Sequence, residues 1–314
     1  MDNKRFFAID ALKAFAMLLV IIGHIPLYCI YRGEYDEVAI YSYYMPFVNT
    51  FHMPLFIFLS GLVTNFETFQ VRRRMKVLIP FIIIGLTYTF VRGMGVRDFI
   101  LSESKLGYWY LLVLTYFYIV LWLIRKIKIN FWIGIIIAEF FFWVIFHIAP
   151  NFSQHVLCFT KAIFLWPFFI IGVIVKRYDL IHKLLSNSWI AVLSIMIYLF
   201  LYVVRLPMSG WVLPLSMICF LVVLFHKIDA ITWISIEFKK MVSLIGRNTL
   251  QIYTLHYFLL NLLANYELGD FLIVNNMRWI ELFLSPIVAF LLAILCIVLS
   301  RCLYKLHLGI IFGR

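Results

Sequence analysis

A chain of 314 residues that is 65% hydrophobic, 19% aromatic and only 13% charged, with a mean hydropathy of +1.00, is excluded as an ordinary soluble globule, since soluble domains carry about 25% charged residues. The formal charge of +12 would suit nucleic acid, but the cations cluster at the ends of apolar runs, so the basicity reads as membrane topology and no nucleic-acid partner is expected. Five cysteines (Cys29, Cys158, Cys219, Cys296 and Cys302) stand singly with no CxxC pair, so neither a disulfide framework nor a metal site is expected.

Apolar runs recur along the whole chain. They predict an all-α, polytopic membrane protein forming one integral domain over 1–314, with ten spans at roughly 7–28, 47–66, 77–92, 108–124, 131–149, 157–175, 188–204, 211–226, 248–264 and 280–300. With both termini placed in the cytoplasm, nineteen Lys and Arg fall inside and six outside, while Lys13 and Lys161 lie within spans, which accounts for all 27. That bias of about three to one sets the predicted orientation in a cell (inner) membrane. Trp109, Trp122, Trp132, Trp189, Trp211 and Trp279 fall near span ends, as an aromatic belt requires.

The first apolar segment contains Asp10 and Lys13 and has no small-residue cleavage site, so it is expected to remain as the first helix. Each charge at bilayer depth costs roughly 2.5–3.5 kcal/mol, which makes Asp10, Lys13 and His24 functional candidates. Lys13 and His24 are eleven residues apart, three turns plus about 20°, and Asp10 falls within about 40° of the same face. Asp10 and Lys13 are also close enough in sequence to pair with each other. A neutral imidazole at His24 can take a proton or attack an acyl carbon.

The second block, Asn49-Thr50-Phe51-His52-Met53-Pro54-Leu55-Phe56-Ile57-Phe58-Leu59-Ser60-Gly61, places Asn49 and Ser60 on one face with His52 about 60° away. Ser60 and Gly61 permit close helix approach. Four cations, Arg72, Arg73, Arg74 and Lys76, precede the third span and end at Pro80. On charge alone they hold the helix against lipid headgroups; the alternative is a phosphate clamp of Arg forks with a lysine point charge. Glu139, His147 and Lys161 are intramembrane or boundary groups without a pattern, Glu139 being a candidate base with Lys161 as its partner.

Between Lys227 and Gly246, Ile231, Ile234, Phe238, Met241 and Ile245 recur at helical spacing, which predicts a short helix anchored in the interface. The ninth span opens with Ile245-Gly246-Arg247-Asn248-Thr249-Leu250-Gln251-Ile252-Tyr253-Thr254-Leu255-His256, where Thr249, Tyr253 and His256 make one polar face. The richest outer loop runs from Tyr28 to Pro46, with Arg32, Glu34, Asp36 and Glu37.

Taken together these tracts resemble the acyltransferase-3 family of integral membrane acyltransferases. Asp10-Ala11-Leu12-Lys13, with His24 eleven after Lys13, is similar to the family's (Arg/Lys)-x10-His signature. Phe51 to Gly61, the basic run ending in Pro80, and Ile245 to His256 resemble three further family blocks in the same order. Lysine at position 13 resembles the short single-domain branch. The resemblance implies transfer of an acyl group, most often acetyl, from cytoplasmic acyl-CoA to a sugar hydroxyl of a surface polysaccharide, a lipid-linked sugar or a smaller acceptor. It implies acetyl-CoA as co-substrate, with its phosphates on Arg73, Arg74 and Lys76 and its pantetheine arm running beside Lys13. His24 is then the base or the acyl carrier, and His52, Ser60, Asn248, Tyr253 and His256 are substrate or oxyanion candidates. The competing reading is a transporter that uses the Asp10, Lys13 and His24 stripe as an ion or solute path.

Overall fold

In hydrocarbon every backbone N–H and C=O must be satisfied without water, so apolar runs of this length fold as helices. The computed structural model describes residues 7–31, 35–181, 187–205, 210–229, 235–264 and 266–313, and among them every regular element is helical. Arg32, Glu34, Ile231 and Ile234, named above, lie outside the described residues. In chain order the α-helices are α1 (Phe7–Ile25), α2 (Tyr35–Tyr41), α3 (Met45–Val48), α4 (His52–Leu62), α5 (Val71–Arg74), α6 (Leu78–Val91), α7 (Val96–Leu101) and α8 (Trp109–Ile127). They continue with α9 (Phe131–Ile148), α10 (Phe159–Arg177), α11 (Ser188–Val204), α12 (Val212–Asp229), α13 (Ile236–Arg247), α14 (Thr249–Leu262), α15 (Tyr266–Val274) and α16 (Glu281–Lys305). Among the described residues, seven helical stretches are long and apolar enough to cross a membrane, or eight if the bent pair α14 and α15 is one span. The shorter apolar helices α11 and α12 stand at two further expected spans. Outward faces are apolar as lipid contact demands: α9 exposes Ile136, Phe140, Phe141 and Trp143.

By its internal contacts the chain divides into two compact units, Met1–Phe56 with Ile181–Arg301, and Ile57–Leu180 with Cys302–Arg314. In the first, α1 packs against α12, α13 and α14, and α11 against α12. The predicted interfacial helix forms as α13, started by Ser235, whose Oγ accepts from the Phe238 N–H at 3.2 Å. It also packs against the first helix. A Cβ built on Gly246 would sit 1.9 Å from the Asp10 carbonyl oxygen, so α13 meets the backbone of α1 directly, and only glycine allows that approach.

Beyond α1 the ring of Pro26 removes a donor, and the chain continues as a π-helical turn, Pro26–Ile30, closed by the Tyr31 N–H donating to the Pro26 carbonyl at 2.8 Å. Its exit is fixed by a carboxylate that the sequence reading passed over. Glu281, fully buried at the start of α16, accepts from Ser42 Oγ at 2.6 Å, from Tyr31 Oη at 3.3 Å and from the Tyr43 N–H at 3.3 Å. Burial, reinforced by the Glu281 charge, pushes the Tyr31 and Tyr44 phenols above their usual range.

In the second unit, the expectation that Gly61 permits close approach is met. Cβ atoms on Gly61 and Gly172 would lie 2.1 Å from the Phe169 carbonyl oxygen and 2.2 Å from that of Phe58, so α4 and α10 touch backbone to backbone. Phe117, Trp166 and Phe169 pack ring on ring beside this crossing, with centroids 5.1–6.0 Å apart. Lys161 does not serve Glu139. It pairs with Glu103 at 3.1 Å, because the loop after α7 folds over the start of α10, where Gln154 also donates to Glu103 at 3.1 Å. Burial would raise the Glu103 carboxyl, but the hydrogen bonds from Gln154 and Lys161 and the Lys161 charge outweigh it and lower the pKa.

Gly61→Ala or Gly172→Ala should cost about 1–3 kcal/mol or more by overpacking, read as a lower melting temperature in detergent; an unchanged midpoint would contradict the backbone contact. Glu281→Ala leaves buried donors without their acceptor, a loss on the order of 3 kcal/mol. Glu281→Gln should recover part of it, and equal stability of all three proteins would contradict the buried cluster.

Candidate active site

The site is built from the last turn of α1 upward. His24 stands there, half-buried, followed one turn later by Tyr28. The turn that follows is tied to α14 by Cys29, whose Sγ donates to the Leu260 carbonyl at 3.3 Å, and to α15 at Gly269, where a Cβ would lie 2.1 Å from the Ile30 carbonyl oxygen. These ties put α14 alongside His24. Nδ1 of His24 lies 3.2 Å from Nε2 of His256, and Nε2 of His24 lies 3.5 Å from Tyr257 Oη. Nδ1 of His256 is 3.1 Å from the Ile252 carbonyl oxygen one turn back. Tyr28 presents its ring edge-on to His24 at 5.7 Å, and Tyr257 closes the same cage at 5.1 Å.

The other wall comes from the second sequence block. A Cβ on Gly23 would meet Val48 Cγ1 at 3.6 Å and Asn49 Oδ1 at 3.9 Å, so Asn49 borders the turn that carries His24. His52, in the first turn of α4, donates from Nδ1 to the Val48 carbonyl at 2.8 Å. Tyr253 is buried with its ring 5.9 Å from that of His256. Asn248 is the joint between α13 and α14: its Nδ2 donates to the Leu244 carbonyl at 2.7 Å and its carbonyl accepts from the Ile252 N–H at 3.0 Å. Its side chain is therefore committed to the turn.

At the other end of α1, Asp10 is 2% exposed and accepts from Arg247 Nε at 2.8 Å. Lys13 is half-buried, about 16 Å from His24 along the helix axis. Four predicted residues belong to the second unit. Ser60 Oγ lies 2.7 Å from Tyr110 Oη. Arg73 and Lys76 are exposed, whereas Arg74 donates from Nη2 to the Val63 carbonyl at 3.1 Å and sits 5.6 Å from the Tyr118 ring centroid. Arg74 is thus spent on the fold, leaving Arg73 and Lys76 presented to solvent.

Three contributors were missed. Tyr28 follows His24 by four residues and Tyr257 follows Tyr253 by four, a helical spacing that would have placed both tyrosines on the polar stripes. Arg247 had no signal as the partner of Asp10 beyond its charge.

Arg247→Ala should lower stability by less than the roughly 1.5–3 kcal/mol of a buried charge-assisted hydrogen bond, because the guanidinium is half exposed to screening solvent. Adding Asp10→Asn should recover most of the loss; strictly additive losses in thermal unfolding would contradict the pairing.

The acyltransferase-3 family model, described as an acyltransferase domain, matches residues 6–301. No curated protein and no solved structure matches the chain.

Proposed function

Since the chain belongs to the acyltransferase-3 family and is a membrane acyltransferase, we propose that it moves an acetyl or other short acyl group from cytoplasmic acyl-CoA to a sugar hydroxyl of a surface polysaccharide or its precursor. The carrying observation is the placement of His24, with Nδ1 held by His256 at 3.2 Å and Nε2 at 3.5 Å from the Tyr257 hydroxyl. Nε2 of His24 takes the proton of the acceptor hydroxyl as its oxygen attacks the thioester carbon. The carbon–sulfur bond then breaks, and the leaving thiolate takes that proton from the imidazolium. Atoms and charge balance, giving ester and free CoA thiol.

Asn49 and Tyr253 border the reacting turn and are the oxyanion or acceptor contacts on this reading. Arg73 and Lys76 are the proposed phosphate contacts for the donor, with Arg74 shaping their run. The first-unit pair Asp10 and Arg247 fixes the far end of α1. Ten spans with both termini in the cytoplasm of an inner membrane belong to the same proposal, supported by the cation bias. Membership of an acyltransferase family favours this over a solute path along the Asp10, Lys13 and His24 stripe.

Protein reconstituted with native membrane extract and acetyl-CoA should release free thiol, and His24→Ala at equal membrane level should lose at least about 100-fold of that rate. Unchanged turnover in His24→Ala, or no thiol release by the parent, would contradict the assignment.

A further inference from the structure

We propose that His256 is a positioning residue that fixes the tautomer of His24, leaving the lone pair on Nε2. The inference rests on the reading of His24 as the base. Its grounds are the hydrogen-bond directions along α14 and α1. The Ile252 carbonyl can only accept, so the His256 Nδ1 at 3.1 Å from it carries the hydrogen. A neutral imidazole has one N–H, which leaves His256 Nε2 with a lone pair. That lone pair faces His24 Nδ1 at 3.2 Å. Two lone pairs would repel, so Nδ1 of His24 carries its hydrogen and donates it, and Nε2 of His24 is bare.

The ring geometry supports a hydrogen bond rather than a stack. The planes are 17° apart and the centroids 5.4 Å apart. That separation is what two five-membered rings joined edge to edge through the 3.2 Å contact require, so the contact runs close to both ring planes, along the lone pair. His256 is fully buried, so no water competes for its Nε2. The Tyr257 hydroxyl, at 3.5 Å, is too far to saturate the bare nitrogen.

The consequence is chemical. An imidazole side chain free in water prefers its hydrogen on Nε2, which would point an N–H, and no base, at the acceptor hydroxyl. The His256 contact reverses that preference at no reorganisation cost during the reaction. When Nε2 gains the acceptor's proton, the Nδ1–H of the imidazolium still donates to neutral His256, whose own N–H is braced on the Ile252 carbonyl, so the dipoles of the chain all face the new charge.

Nitrogen-15 NMR of histidine-labelled full-length protein in detergent, with the His24 signals assigned by their loss in His24→Ala, tests this directly. The parent should show His24 protonated at Nδ1. His256→Phe should move the hydrogen to Nε2 and lower thiol release from acetyl-CoA in native membrane extract by at least tenfold, with the KM for acetyl-CoA unchanged. His256→Gln, whose Oε1 can accept from Nδ1–H, should restore the Nδ1 tautomer and most of the rate. A parent protonated at Nε2, or a His256→Phe protein with full turnover, would overturn the proposal. The measurement on the parent needs no variant to fold. If His24→Ala keeps its activity, the base assignment itself fails; if His24→Ala is inactive while the parent carries its hydrogen on Nε2, only the role of His256 fails.

Discussion

The first unit depends on how closely α1 approaches the consecutive helices α13 and α14. A glycine at 246 lets α13 rest on the carbonyl of Asp10, where any side chain would overlap backbone. That contact sets the spacing at one end, and Cys29 against the Leu260 carbonyl sets it at the other. Between these ties, Arg247 reaches Asp10 and His256 reaches His24. A polar pair at each end of one membrane helix is therefore the product of a single packing distance. Widening it would pull Arg247 from the buried Asp10 carboxylate and His256 from His24, a cost in buried polar contacts at both ends.

The same economy governs several other buried polar groups. Glu281 is tolerated inside because the chain leaving α1 wraps it with a serine hydroxyl, a phenol and a backbone N–H. Lys105, 2% exposed, donates to the Ile100 and His155 carbonyls. Lys161 stays near its Glu103 partner and stands 5.6 Å over Trp109. These groups organise loops, whereas the His24 and His256 rings leave one nitrogen short of a strong partner. On the proposed reading, that difference separates a structural polar contact from a reactive one.

Much of this was legible in the chain. The stripe of Asp10, Lys13 and His24 followed from helical periodicity, as did the burial of Tyr253 and His256 on one face of α14. Gly61 announced a close crossing, although its counterpart Gly172 did not, since a lone glycine in an apolar run carries no address. Pairings over long sequence distance were hidden for the same reason. Arg247 is 237 residues from Asp10, and Glu281 is 239 from Ser42, so periodicity along one helix could not join them. Lys161 found Glu103 instead of Glu139 because loop folding, not helix phase, decided its neighbour. Arg74 looked like its neighbours in the basic run, yet its contacts with the Val63 carbonyl and the Tyr118 ring set it apart.

The central claim is that the bare nitrogen of His24 stands beside the acyl group of a CoA thioester, where it takes the acceptor hydroxyl's proton. The most direct measurement is peptide mass spectrometry after exposing the reconstituted protein to bromoacetyl-CoA, whose carbon–bromine bond alkylates a neutral imidazole held at the acyl group. The expected result is an adduct on His24, suppressed by excess acetyl-CoA. Labelling confined to exposed groups such as Cys302, with His24 unmodified and acetyl-CoA without effect, would contradict it.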